Sequence, residues 1–164
     1  MLSMRTLLLA VPLLAAPACN WAGPRVWVED HQRLEVPTAG VQAVECRTDN
    51  GAIHAIASDS STILVNVKRR GGGLDEAHAQ SALEAILLHA KVEGDRVHIG
   101  WKWATPKEDG WGSQVSFKVE MPGSLPLQAV TDNGNITIDH VSAAIDAESD
   151  NGRIKIDGGK GEVI

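Results

Sequence analysis

Thr131-Asp132-Asn133-Gly134-Asn135-Ile136 and, eighteen residues on, Ser149-Asp150-Asn151-Gly152-Arg153-Ile154 are two versions of one pattern. A third, Thr48-Asp49-Asn50-Gly51-Ala52-Ile53, lies far upstream. The match between the last two continues past the motif. Ile136 and Ile138 align with Ile154 and Ile156, and Val141, Ala143 and Ile145 align with Gly159, Gly161 and Val163. Residues 129–164 therefore read as two consecutive 18-residue units. In each unit, alternation puts the isoleucines on one strand face and Thr137 or Lys155 on the other. Asn-Gly tolerates positive φ, so the motif predicts a tight turn there, with the preceding aspartate bonding the turn amides. A second short strand, Val141 to Ile145, completes the unit. One unit cannot bury its own apolar face, whereas stacked neighbours can. The predicted fold is mainly β: a β-solenoid or roll-like stack of 18-residue repeats. The N-terminal half adds one short helix and a hairpin.

Between the first motif and the other two lies a longer excursion. Ile63 to Val67 alternates and reads as a strand, which Arg69-Arg70-Gly71-Gly72-Gly73 breaks. Residues 75–87 read as a helix, with Asp75 and Glu76 in its first turn and Ala79, Ala82, Leu83 and Ile86 at helical spacing. Leu88, Ala90 and Val92 alternate up to Glu93-Gly94-Asp95, and Val97, Ile99, Trp101 and Trp103 return as a hairpin. Residues 104–113 read as a polar loop. Val115, Phe117, Val119 and Met121 form the next strand, which Pro122-Gly123 ends.

The N-terminus carries an address. Arg5 precedes an apolar run from Leu7 to Ala16, and Ala16-Pro17-Ala18 has the small-x-small form of a cleavage site. The run is shorter than the roughly 20 residues needed to span a bilayer. Residues 1–18 read as a signal peptide, 19–33 as an anchor and linker, and 34–164 as the domain. Cys19 follows the cleavage site directly, in a stretch similar to a lipobox. Lipidation of Cys19 would then tether the chain to a membrane. The alternative is ordinary cleavage with Cys19 incidental; the placement of a lone cysteine at this point favours lipidation. Trp21 and Trp27 lie near the proposed anchor, either at the membrane interface or packed on the domain. Cys46 reads as a small buried hydrophobe; a disulfide to Cys19 requires that Cys19 be unlipidated.

The formal charge of −6 offers no broad basic field, which argues against nucleic-acid partners. Stacked aspartates at Asp49, Asp132 and Asp150 could bind Ca²⁺ or pair as glycosidase carboxylates. The reading prefers a structural turn ladder of Asp49, Asn50, Gly51, Asp132, Asn133, Gly134, Asp150, Asn151 and Gly152. No catalytic residue, cofactor site or metal site is assigned. The six histidines lack metal-ligand spacing and read as surface residues, with His54 in the same outward slot as Thr137 and Lys155. Trp101, Trp103 and Trp111 are the candidate ligand surface, for sugars or a protein partner; Trp101 and Trp103 share a face with Val97 and Ile99, which favours their burial.

The three motifs, the strand ending Val119-Glu120-Met121-Pro122 and the helix-plus-hairpin at 75–103 resemble the bacterial putative-adhesin family, a β-repeat domain of exported or membrane-attached proteins. The resemblance covers roughly residues 34–164. Family members continue through several more repeats, so the uncapped stop at Ile164 reads as C-terminal truncation, ahead of cover by an oligomer or disorder of the last unit. The resemblance implies an exported, non-enzymatic interaction or scaffold module in the periplasm or at the cell surface, with an envelope protein or glycan as partner. A carbohydrate-binding or polysaccharide-cleaving β-helix protein is the alternative, and a partner of envelope-stress signalling a third class.

Overall fold

The computed structural model describes residues 23–158 and 162–163. The expected signal peptide, Cys19, Trp21 and Ile164 lie outside the described residues. The strands are β1 (Val26–Pro37), β2 (Ala43–Asn50), β3 (Ile53–Ser58), β4 (Thr62–Gly73), β5 (Ile86–Glu93), β6 (Arg96–Trp103), β7 (Gly112–Pro122), β8 (Leu127–Asn133), β9 (Ile136–Asp139), β10 (Ile145–Ser149), β11 (Ile154–Asp157) and β12 (Glu162–Val163). One helix, α1 (Glu76–Glu84), follows β4. They form two six-stranded sheets, ordered β1-β4-β7-β3-β9-β11 and β12-β10-β8-β2-β6-β5.

The architecture is mainly β, as the alternating patterns require. Both sheets are mixed and open. Parallel pairing joins β7 to β3, β9 and β11 in one sheet, and β6 to β2, β8, β10 and β12 in the other. Antiparallel pairing adds β4 and β1 to the first and β5 to the second. Consecutive units with 18-residue register extend only from β8–β9 to β10–β11, where Leu127 pairs with Ile145 and Ile136 with Ile154. At the last strand Asp146 faces Glu162, so that spacing is not kept. Buried residues from both sheets, Val44, Cys46, Ile53, Val65, Phe117, Met121, Ile136 and Ile138 among them, fill the space between. Burying such side chains stabilises by about 1.5–3 kcal/mol each.

The repeat's second strand begins at Ile145, where the sequence reading ended it, because His140 takes a left-handed φ of 62° and Ser142 and Ala143 donate to the Gly123 carbonyl at 2.8 and 3.1 Å. The expected linker is strand from Val26 onward, paired along its length with β4. Arg69 to Gly73 continue β4 rather than break it. The glycines are there because α1 lies against the strand: a Cβ on Gly71 would stand 2.3 Å from the Leu83 nitrogen, and one on Gly73 2.3 Å from the Ala79 nitrogen. Asp75 caps α1 from outside, accepting from the His78 amide at 2.8 Å, and Ile86 belongs to β5. The hairpin is as read, with Gly94 at φ 65° in its turn.

Candidate functional site

The three Asp-Asn-Gly segments mark the corners where the chain crosses from one sheet to the other, and they stack. Thr48, Thr131 and Ser149 each donate a hydroxyl hydrogen bond to a carbonyl of the preceding rung: Val115 at 2.7 Å, Gly51 at 3.0 Å and Gly134 at 2.9 Å. The Asn133 amide donates to Asn50 Oδ1 at 3.0 Å and the Asn151 amide to Asn133 Oδ1 at 3.1 Å. The glycines are required by proximity. Gly134 and Gly152 have no left-handed φ, and His140 is the sole non-glycine with positive φ among the described residues. At these two motifs the expected positive-φ Asn-Gly turn is therefore corrected to a close-packed corner, whereas Gly51 has φ 159°. The aspartates point outward, and among the described residues their carboxylates bond none of the corner amides. Burial, and then the neighbouring Asp132, raise the Asp49 carboxyl above its ordinary range. No group of three or more His, Cys, Asp or Glu side chains among the described residues is placed to hold a metal ion.

The three candidate tryptophans lie together, Trp103 touching both of the others, and all are buried or half-buried. Trp111 is 5% exposed and packs with Ala82 and Ala85 under α1. Its ring lies 5.4 Å from that of Trp103, which meets Trp101 edge-on at 5.3 Å. Trp101 and Trp103 are half-buried against the main core, as their shared face with Val97 and Ile99 suggested. Trp111 is thus buried rather than exposed, with only an edge of it in the wall of the recess described below. Cys46 is fully buried and free, and burial pushes its thiol pKa up. His54 holds the expected slot in register with Thr137, and it bonds Asp139 at 2.7 Å, which keeps that carboxyl below its ordinary range.

Trp27, expected near the anchor or packed on the domain, lines a large recess together with the candidate Trp111. Trp27, 38% exposed, projects from β1 onto the face of the sheet opposite α1. There it lies across two glycines: a Cβ on Gly72 would come within 3.1 Å of the indole, and one on Gly112 within 2.9 Å. Arg70, beside it on β4, places its guanidinium 5.1 Å from the ring centroid and donates to Gln114 Oε1 at 2.8 Å. The indole borders a groove of about 970 Å³ whose wall also includes Pro24, Leu74, Asn50, Asn133 and Gln114. The amide ladder thus runs into the groove. The alternation of Val26 and Val28 with Trp27 and Glu29 was the available signal that this segment is a strand with Trp27 on its outer face.

No family model matches the chain, and no curated protein matches it. It is similar to the solved structure of a "putative cell adhesion protein" from Clostridium sporogenes, at 7% identity and a TM-score of 0.35 over 83% of this chain and 61% of that one. It is also similar to a "putative adhesin" from Parabacteroides distasonis, at 12% identity and a TM-score of 0.34 over 82% of this chain and 67% of that one. A third, a "putative adhesin" from Parabacteroides merdae, has 8% identity and a TM-score of 0.34 over 82% of this chain and 66% of that one. The chain spans about three fifths of the length of the Clostridium protein. Likeness at this level assigns neither a role nor a ligand.

Proposed function

We propose that the chain is an exported, lipid-anchored, non-enzymatic interaction module of the cell envelope, adhesin-like in its role, whose contact surface is the groove beside Trp27. The observation that carries this reading is the exposed indole itself. A large aromatic held flat over a glycine floor and opening into a groove is a feature of recognition surfaces. The rest of its sheet face carries paired charges such as Arg33 with Glu35 and Lys118 with Glu120, which suit solvent. Export and anchoring are supported by residues 1–19, with Cys19 as the acceptor of lipid. No helix among the described residues is long and apolar enough to cross a membrane. In this reading the stacked corners form a short solenoid-like spine that holds the groove rigid.

Two measurements test it. Cys19→Ser should release the chain from membranes and remove the mass of the acyl groups; unchanged fractionation and mass would exclude the anchor. In the Cys19→Ser background, which removes the anchor, Trp27→Ala should weaken retention of the protein on isolated envelope material at least tenfold, while Trp101→Ala leaves it intact. Equal retention by both variants would exclude the groove.

A further inference from the structure

The groove's chemistry narrows its ligand. Its volume of about 970 Å³ is at the upper end of the range for small-ligand sites, roughly 300–1,000 Å³. Its apolar surface is concentrated in Trp27, Pro24 and Leu74. The polar groups around it are mainly side-chain amides and a hydroxyl, from Asn50, Asn133, Gln114 and Ser113. Amides and hydroxyls both donate and accept, so they complement groups that do the same. The charged side chains that line it, Lys107, Glu108 and Asp109, are of mixed sign, and the Arg70 guanidinium is engaged by Trp27, Gln114 and Glu29. Nothing concentrates positive charge for a phosphate or a nucleic acid.

The amide ladder adds direction. Asn133 donates to Asn50, and Asn151 donates to Asn133, so every link points the same way. The carbonyl oxygen of Asn50 is thereby occupied, and its amide nitrogen is the donor end of a polarised chain at the groove wall. The indole N–H of Trp111, which also lines the groove, is buried and has no hydrogen-bond partner among the described residues.

From these features we infer that the groove binds a neutral oligosaccharide, with Trp27 as the stacking platform for a pyranose ring and Asn50 and Gln114 as hydroxyl partners. The assignment rests on the reading that this groove is the contact surface. A sugar ring has an apolar face of C–H groups bounded by hydroxyls, which is the complement of an indole bordered by amides.

The test is the full chain, purified in detergent and applied to a printed array of neutral and acidic glycans. Binding to neutral glycans is expected, with at least tenfold loss in Trp27→Ala, partial retention in Trp27→Phe and none lost in Trp101→Ala. Asn50→Asp keeps the oxygen that Asn133 bonds but removes the donor, so it too should lose at least fivefold. Circular dichroism confirms that each variant folds; should Trp27→Ala not fold, Trp27→Phe and Asn50→Asp decide. A blank array, binding confined to acidic glycans, or binding that folded groove variants leave unchanged would overturn the assignment. If the array is blank while envelope material is still retained through Trp27, only the glycan assignment falls; if neither binds, both readings fall.

Discussion

Gly134 and Gly51 meet through backbone alone: a methyl group on Gly134 would stand 1.9 Å from the Gly51 carbonyl oxygen. Gly152 repeats the relationship on Gly134 at 1.9 Å, and Gly51 on Val115 at 2.0 Å. No flexible side-chain tip is available to move aside. Gly134→Ala should therefore destabilise the protein by about 1–3 kcal/mol or more, as overpacking does. Urea unfolding measures this. A loss under roughly 0.5 kcal/mol would show that the rungs can separate freely.

The hydroxyl at the head of each motif makes a different claim. Thr131 is 1% exposed and donates to the Gly51 carbonyl at 3.0 Å. Valine has nearly the same shape without the donor. Thr131→Val should cost about 1–3 kcal/mol, because the carbonyl is left without that bond in a buried corner. Thr131→Ser should restore most of it. Equal stability of all three proteins would remove the hydroxyl ladder from the list of stabilising features.

Arg69 ties three strands together. It bonds both carboxylate oxygens of Asp30 on β1, through Nε at 2.8 Å and through Nη2, and donates to the Ile86 carbonyl on β5 at 2.6 Å. Arg69→Met should cost roughly 2–4 kcal/mol, part of it from the orphaned carbonyl. The Arg69 bond holds the Asp30 carboxyl below its ordinary value of 3.8. A depressed carboxyl contributes stability above its unfolded value and loses it as pH falls through the folded one. The native protein should thus lose stability below pH 3.8, and Arg69→Met should show less of that loss in denaturant melts from pH 6 to pH 2.

Asp49 titrates in the opposite sense. Burial and Asp132 raise its carboxyl above 3.8. The folded state therefore binds that proton more tightly than the unfolded chain, and stability is lost as pH rises through the window above 3.8. Asp49→Asn should stabilise the protein at pH 7 by under about 1 kcal/mol, since the group is near the surface. The gain should shrink toward zero at pH 3. A constant difference across that range would mean that charge is not its cause.

Cys46 offers a readout of opening. It is fully buried and its thiol is held neutral, so the native protein should react with a thiol reagent at pH 8 far more slowly than after urea unfolding. Equal rates would place Cys46 outside the core.

Alternation made most strands readable. Val115, Phe117, Val119 and Met121 point inward from β7 as their spacing requires, and the β5–β6 hairpin turns at Gly94. What escaped the sequence depends on partners far along the chain. Gly71 and Gly73 look like a break until α1 supplies the Leu83 and Ala79 backbones that exclude a side chain. Trp27 looks like a linker residue until Gly72 and Gly112, from two other strands, form its floor. The order of strands was equally hidden, since β7 lies between β4 and β3 through pairing on both of its edges. The motif's positions were visible, but its glycine was credited with a turn conformation when contact between rungs is what demands it.

The spacing of the stacked asparagines also implies an order of assembly. Asn151 and Asn133 are 18 residues apart, whereas Asn133 and Asn50 are 83 apart. Closing the longer loop costs about 1.4 kcal/mol more in chain entropy, by the logarithmic dependence on length. The pair formed by β8–β9 and β10–β11 is therefore expected to nucleate, and the segment at β2–β3 to dock later. Kinetics would show this directly. Ser149→Ala should slow refolding, while Thr48→Val should chiefly speed unfolding; the reverse pattern would place the nucleus at the distant contact.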